Sequence, residues 1–264
     1  MPVLPVSPIT LAVLAAATIC VAVLPIVLYR RWRMPFALNR RDAIAGIAVF
    51  ALSAMVIERA LNDYLLRQNA AASGWLSNPL AFVVYGVFIA GICEEVGRFI
   101  AMRWLARRAS NPGRADGTAL AYGLGHGGAE AWFVGVLVQA QWIAFGVLAD
   151  RGQLDTYLAN LPPESMLRIH VLLASLSPAM AGIFVLERVA ALVFQIGLSV
   201  LMWRGVRAGS RAILPLAVVA HALIDVPAAL SQAQLLPLVA VDAIYALVAI
   251  AVAAALIRLH RRAA

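Results

Sequence analysis

The chain has 264 residues, of which 63% are hydrophobic and 13% charged, and its formal net charge is +8 at pH 7. A soluble domain carries about one quarter charged residues, so this composition excludes an ordinary soluble protein. Nucleic acid is also excluded as a partner, because the arginines cluster at the ends of apolar runs, where membrane proteins carry them. We therefore predict one integral-membrane domain over residues 1–264, embedded in a lipid bilayer.

Long apolar runs predict seven membrane-spanning helices, since about 20 apolar residues are needed to cross the hydrocarbon core. The expected fold class is all-α, a polytopic transmembrane helical bundle. The fourth run is long for one crossing, so we expect it to be tilted, kinked in its glycine-rich part, or extended beyond the bilayer. In the largest loop, Pro162-Pro163 followed by Glu164 predicts a short surface helix. The predicted spans are 8–29, 43–62, 79–103, 117–148, 177–203, 212–231 and 236–258.

The arginines predict the orientation of the chain. The loops after the first, third, fifth and seventh helices are rich in arginine, whereas the opposite loops carry only Arg67, Arg151 and Arg168, beside acidic residues. The positive-inside rule then places the N-terminus outside and the C-terminus in the cytoplasm of a bacterial cytoplasmic membrane. The predicted cytoplasmic arginines are Arg30, Arg31, Arg33, Arg40, Arg41, Arg103, Arg107, Arg108, Arg114, Arg204, Arg207, Arg211, Arg258, Arg261 and Arg262.

The third predicted helix carries three ionisable residues, Glu94, Glu95 and Arg98, inside its apolar run. A charge at the bilayer centre costs roughly 2.5–3.5 kcal/mol, so such a cluster predicts a functional site. Arg98 is four residues from Glu94 and three from Glu95, and helical geometry allows it to pair with either. A purely structural ion pair is the simpler alternative, but it explains neither the second glutamate nor the histidines on other helices.

Two further helices carry histidines at the same predicted depth. Glu94, His126 and His221 each lie nine or ten residues from the cytoplasmic end of their helix, which is roughly 14 Å along the axis. Glu130 follows His126 by one turn, and Asp225 follows His221 by one turn, so each pair shares a helix face. We therefore predict a polar cavity in the cytoplasmic half of the membrane. Each histidine could instead be a hydrogen-bonded core residue, and Glu130 could pair with an arginine.

The residue types favour the activation of water. A buried carboxylate at Glu94 could serve as general base, and His126 and His221 could donate to a developing oxyanion. Asp225 could orient His221. Two histidines and a glutamate could alternatively hold a zinc ion with water in the open coordination position. The first expectation is a site without a cofactor, and zinc is the alternative.

Three short motifs occur in order on the third, fourth and sixth predicted helices. They are Glu94-Glu95-x-x-Arg98, Tyr122-x-x-x-His126 and His221-x-x-x-Asp225. This order resembles the motif pattern of the CAAX-protease and bacteriocin-processing superfamily of intramembrane proteases, and is similar to that of PrsW-type proteases. The glycine-rich run at 125–130 is most similar to the YhfC family of intramembrane proteases. The resemblance covers residues from about 79 to 231.

The resemblance implies a glutamic-type intramembrane endopeptidase acting on a membrane or membrane-proximal peptide or protein. It implies Glu94 as the base, Glu95 as the carboxylate held by Arg98, and the two histidines as groups that position the water or stabilise the oxyanion. The spacing between the glutamates and the arginine is one residue shorter than in the CAAX enzymes, which weakens the transfer of that geometry. Asp225 replaces the asparagine of the CAAX enzymes, and Tyr122 the usual phenylalanine.

Functions from other classes stay open. Intramembrane acids and histidines also mark ion paths, so a transporter or proton-coupled carrier is one alternative. Such a protein would be expected to show internal repeats or broken helices, and no repeat is apparent in the sequence. A non-catalytic membrane scaffold is the other alternative, because the superfamily also contains such proteins.

Overall fold

The structure is a computed structural model that describes residues 6–108 and 116–263. All regular secondary structure in these two stretches is helical. Seven of the helices, α1, α2, α4, α5, α8, α9 and α10, are long and apolar enough to cross a membrane, which confirms the predicted fold class and the number of spans. The helices are α1 (Pro8–Trp32), α2 (Arg40–Gln68), α3 (Ala70–Leu76), α4 (Pro79–Arg108), α5 (Gly117–Asp150), α6 (Leu154–Tyr157), α7 (Pro163–Ser175), α8 (Pro178–Arg207), α9 (Ile213–Gln232) and α10 (Leu238–Ala263).

The spans lie where the apolar runs predict them, but most are longer. The largest difference is in α2, which continues to Gln68 rather than ending near residue 62. The surface helix predicted in the largest loop is α7, and it begins at Pro163 as expected. The short helices α3 and α6 were not predicted, because neither has an apolar run long enough to stand out. Arg114, one of the predicted cytoplasmic arginines, lies outside the described residues, as does the side chain of Arg262.

Two of the long helices contain π-helical turns. In α2 these are Ser53–Glu58 and Tyr64–Gln68, and in α5 the segment is Ala131–Val136. The irregularity in the fourth span thus begins directly after Glu130, whereas the glycine-rich run before it is regular α-helix. Such π-helical turns inside α-helices are frequent at functional sites.

The described residues form two compact units, and their boundaries fall inside α1, α5 and α8. The first unit contains the chain up to Leu24 together with Ala131–Val189. Its largest core cluster includes side chains from α5, α6 and α7, so the two short loop helices are packed rather than loose. The buried members of that cluster are Val6, Phe145, Leu154, Leu158 and Leu173.

The second unit contains Pro25–Glu130 and the chain from Ala190 onward, and every predicted site residue belongs to it. Its apolar core is centred on Trp203 and Met202 of α8, which pack with Met102 of α4 and Tyr122 of α5. At one end of this unit Arg204 donates to both carboxylate oxygens of Asp116, with Nε 3.0 Å from Oδ1. That bidentate pair joins the start of α5 to the last turns of α8.

Glycines allow α2 and α5 to meet backbone to backbone. A Cβ atom on Gly125 would overlap the carbonyl oxygen of Ala43, and one on Gly46 would overlap that of Tyr122. Small residues permit this closeness between membrane helices. The contact fixes the part of α5 that carries His126.

The same run of glycines faces α8 on its other side. A Cβ atom on Gly123 would lie 2.8 Å from the Cα atom of Ile196, and one on Gly127 would lie 3.0 Å from the Cβ atom of Gln195. In α4, a Cβ atom on Gly91 would lie 3.2 Å from the carbonyl oxygen of Val218 in α9. Glycines therefore bring α5 against α8 and α4 against α9.

Candidate active site

Two glutamate–histidine pairs form the centre of the site. Nε2 of His126 in α5 lies 2.8 Å from Oε2 of Glu94, and Nδ1 of His221 in α9 lies 2.8 Å from Oε1 of Glu95. Since an ionised carboxylate only accepts hydrogen bonds, the facing imidazole nitrogen is the donor in each pair. The structure thus brings Glu94, His126 and His221 into a single cluster. The two histidines bind different glutamates, because His221 pairs with Glu95 rather than with Glu94.

Arg98 pairs with Glu95 rather than with Glu94. Its Nε atom donates to both carboxylate oxygens of Glu95, at 3.1 and 3.0 Å, while its nearest approach to Oε2 of Glu94 is 3.9 Å. The arginine and Glu95 are both fully buried. A buried guanidinium needs such a paired partner, because an unpaired charge in a low-dielectric interior is strongly unfavourable.

The site opens on the side of Asp225. Nε2 of His221 lies 3.4 Å from Oδ2 of Asp225, and the side chain of Asp225 is 33% exposed. Asp225 is thus placed as predicted, one turn from His221 on the same face of α9. His126 lies at the closed side, where its ring stacks on Tyr122 and meets the edge of Phe50. Nδ1 of His126 is buried and has no hydrogen-bond partner among the described residues.

Sequence reasoning missed Gln195 in α8. Its amide nitrogen donates to Oε2 of Glu94 at 3.1 Å and to Oε2 of Glu130 at 2.9 Å. Its amide oxygen accepts from Nη2 of Arg98. Glu130 is therefore joined to Glu94 through this amide.

Ser199, one turn after Gln195, was also missed. Its hydroxyl accepts from Nη1 of Arg98 at 2.5 Å and donates to the carbonyl oxygen of Gln195 at 2.7 Å. A signal was present in the sequence, since the two polar residues are four apart in an otherwise apolar run and share a helix face. Both are buried.

These features define a class of protein: a polytopic helical membrane protein with a buried cluster of carboxylates, histidines and one arginine contributed by three spans, joined by an amide and a hydroxyl from a fourth. Such groups within membrane spans are costly and mark functional sites.

The chain belongs to the YhfC intramembrane metalloprotease family, which matches residues 20–246. It is 32% identical over 234 residues to the uncharacterized membrane protein YhfC of Bacillus subtilis (strain 168), an alignment that covers 86% of this chain and 87% of that protein. No solved structure matches the chain significantly. The resemblance to the YhfC family is thus confirmed, and the protein is a multi-pass membrane protein. Membership of the CAAX-protease and PrsW-like superfamily stays a prediction.

The family description raises the question of a metal ion. The two stretches that the structure describes contain no group of three or more His, Cys, Asp or Glu side chains placed to hold one. The natural ligands, Nε2 of His126 and Oε2 of Glu94, are hydrogen-bonded to each other, and Nη2 of Arg98 lies 3.4 Å from that nitrogen. A divalent cation would have to break this bond and sit beside a fixed positive charge. In this arrangement Nε2 of His126 and Oε2 of Glu94 are engaged with each other and do not fit a metal ion.

Proposed function

We propose that the protein is an intramembrane endopeptidase that hydrolyses a peptide bond in a membrane or membrane-proximal substrate, with water activated by Glu94. Membership of a family described as intramembrane metalloproteases supports the reaction class, hydrolysis of a peptide bond. The predicted orientation would place the site in the cytoplasmic half of a bacterial cytoplasmic membrane. The observation that carries the choice of base is the unequal engagement of the two glutamates.

Both carboxylate oxygens of Glu95 are engaged, since Arg98 donates to each and His221 donates to Oε1, and the side chain is fully buried. Glu94 differs, because its hydrogen bonds to described residues all fall on Oε2. Its side chain also keeps 9% exposure. Oε1 of Glu94 is therefore the carboxylate oxygen of this pair that can reach a water molecule, and general base catalysis requires such an approach.

The reaction proceeds by addition and elimination. Oε1 of Glu94 takes a proton from water as the water oxygen bonds to the carbonyl carbon of the substrate, which leaves a tetrahedral oxyanion. The oxyanion then re-forms the carbonyl as the carbon–nitrogen bond breaks, and Glu94 passes its proton to the departing amine nitrogen. The products are a carboxylic acid and an amine, and Glu94 is again ionised.

The two histidines have separate tasks in this proposal. His126 is fully buried against Glu94, so it fixes the orientation of the base. His221 is held by Glu95 at Nδ1 and directs Nε2 toward the exposed side of the cluster, where the contact to Asp225 is a long 3.4 Å. A substrate oxyanion that replaced this weak contact would accept from Nε2 of His221 in its imidazolium form, in which both ring nitrogens carry a proton, as an oxyanion hole requires. Asp225 keeps the imidazole in place before the substrate arrives.

The test uses the purified full-length protein in liposomes with a panel of fluorescence-quenched single-span peptides. Wild-type protein is expected to cleave at least one of them, and Glu94→Gln is expected to lose turnover while retaining a monodisperse elution profile and its melting temperature within a few degrees. Glu164→Gln, on the exposed surface of α7, is the matched control and should cleave normally. Cleavage by Glu94→Gln at the wild-type rate would refute Glu94 as the base.

Metal analysis of the same preparation separates the zinc-dependent alternative. We expect no stoichiometric metal and no loss of cleavage after treatment with 1,10-phenanthroline. A stoichiometric zinc ion that leaves together with activity, and whose return restores it, would replace the glutamic mechanism by the metal-dependent one. A protein that cleaves none of the peptides but drives solute uptake along a pH gradient would be a transporter instead.

A further inference from the structure

The side chain of Gln195 makes hydrogen bonds to three charged residues of the cluster, and the proposed mechanism gives it no role. It is 5% exposed, and its amide uses both N–H donors and its oxygen on charged groups. The donors go to Oε2 of Glu94 at 3.1 Å and Oε2 of Glu130 at 2.9 Å, and the oxygen accepts from Nη2 of Arg98. An amide has only two N–H bonds, so its donor capacity is filled.

The charges around Gln195 fix which way its amide points. Turning it over would place the oxygen against the two carboxylates and the NH₂ group against the guanidinium, which reverses every interaction. The backbone adds to this constraint, since the carbonyl oxygen of Gln195 accepts from Nη1 of Arg98 at 3.3 Å and from the hydroxyl of Ser199 at 2.7 Å. Gln195 is therefore held in one orientation.

The amide of Gln195 bonds to both Arg98 and Glu94. Nη2 of Arg98 is bonded to the amide oxygen of Gln195 and lies 3.9 Å from Oε2 of Glu94, which is too far for a hydrogen bond. The amide thus supplies the acceptor that this end of the guanidinium would otherwise seek on Glu94. A direct ion pair there would compete with proton uptake by that carboxylate.

We propose that Gln195 is a positioning residue that keeps Glu94 available as a base. Its amide nitrogen donates a hydrogen bond to Oε2 of Glu94 and so leaves Oε1 facing the reacting water. Its amide oxygen accepts from Arg98 and holds the guanidinium away from the same carboxylate. The inference rests on the proposed function of Glu94. It adds a role for α8, the helix on which none of the sequence motifs lies.

The kinetic test compares Gln195→Met, which keeps the length of the side chain and removes its hydrogen bonds, with Gln141→Met at an exposed position of α5. In liposomes, with the peptide that wild-type protein cleaves fastest, Gln195→Met is expected to lower kcat about 10-fold or more and to change KM less than about twofold. Gln141→Met should leave both constants unchanged. An unchanged kcat in a folded Gln195→Met protein would overturn the proposal.

A second measurement does not depend on activity. A hydrophobic carbodiimide labels carboxyl groups that are accessible within the membrane and not locked in an ion pair, and mass spectrometry assigns the site. In wild-type protein we expect labelling at Glu94 and not at Glu95. Gln195→Met should reduce labelling of Glu94 several-fold, because Arg98 closes on it.

Gln195→Leu is the second variant, for the case in which Gln195→Met does not fold, because it removes the same hydrogen bonds with a smaller apolar side chain. It should reduce labelling of Glu94 in the same way. Labelling of Glu94 in a folded Gln195→Met or Gln195→Leu protein that equals the wild-type level would refute the spacing role. If wild-type protein cleaves no peptide, the proposed function fails and the labelling alone decides whether Gln195 controls access to Glu94.

Discussion

Glu94 and Glu95 are adjacent in α4, yet they bind histidines from two different helices. Glu94 pairs with His126 of α5, and Glu95 pairs with His221 of α9. Successive residues of an α-helix project about 100° apart, so two neighbours can face two different partner helices. One turn later, Arg98 completes the Glu95 pair. This divergence gives the two carboxylates different environments, on which the different roles proposed for them rest.

The first prediction follows from that separation. Glu95→Gln removes the charge that balances the fully buried Arg98, whereas Glu94→Gln removes a charge that is 3.9 Å from the nearest guanidinium nitrogen. Breaking a buried ion pair costs about 3–5 kcal/mol, so Glu95→Gln should lower the melting temperature markedly and Glu94→Gln only slightly. Thermal unfolding in detergent, followed by intrinsic tryptophan fluorescence, measures the difference. Equal losses in the two variants would contradict the assigned roles.

The second prediction concerns the shape of the Arg98 side chain. Its guanidinium reaches Glu95, Ser199 and Gln195 from three different nitrogen atoms. A lysine ammonium is a single point and cannot meet all three in this geometry. Arg98→Lys is therefore expected to lower kcat about 10-fold or more and to destabilise the protein, although the charge is conserved.

The control for this substitution is Arg107→Lys at the exposed end of α4, which should leave cleavage and melting temperature unchanged. Measuring peptide cleavage and thermal unfolding on both variants tests the prediction. Wild-type behaviour of Arg98→Lys would mean that charge alone suffices at this position.

The third prediction concerns the contact between α2 and α5. A Cβ atom on Gly125 would overlap the carbonyl oxygen of Ala43, so Gly125→Ala must push the two helices apart and shift His126 from Glu94. Overpacking of this kind typically costs about 1–3 kcal/mol. We expect a lower melting temperature and reduced cleavage.

Gly86→Ala is the matched control, because it lies in another membrane-spanning helix and a Cβ atom there meets nothing within 4 Å. Since alanine is the better helix former by about 1 kcal/mol, this variant should be neutral or slightly more stable. If both alanine variants melt alike, the backbone contact between α2 and α5 does not determine the position of His126.

The spans were predictable because their signal is local. A run of about 20 apolar residues is a property of one segment, and it demands a helix whatever the other segments do. The C-terminal end of α2 shows the limit of this signal, since the helix continues to Gln68 through two π-helical turns that hydropathy does not encode. The motif residues Glu94, His126 and His221 were also found from the sequence, because charged and imidazole groups stand out in apolar runs.

Gln195 is a site residue that the sequence did not predict. Gln195 and Ser199 share one face of α8, but two uncharged polar side chains in an apolar helix are a weaker signal than a charge, and their spacing indicates no partner on another helix. Its importance arises only when two carboxylates and a guanidinium from α4 and α5 are placed around it. No spacing within α8 records that placement.

The sequence by itself determined the seven spans, the family, and the set of charged residues within the bilayer, because each follows from a segment's own composition or motif. It did not decide whether Arg98 pairs with Glu94 or with Glu95, since helical spacing permits either pairing. Only the tertiary structure decided that Arg98 takes Glu95, that His221 joins the same carboxylate, and that Gln195 stands between Arg98 and Glu94. These choices depend on how glycines let separate helices approach, and on the requirement that each buried charge find an opposite partner across that packing.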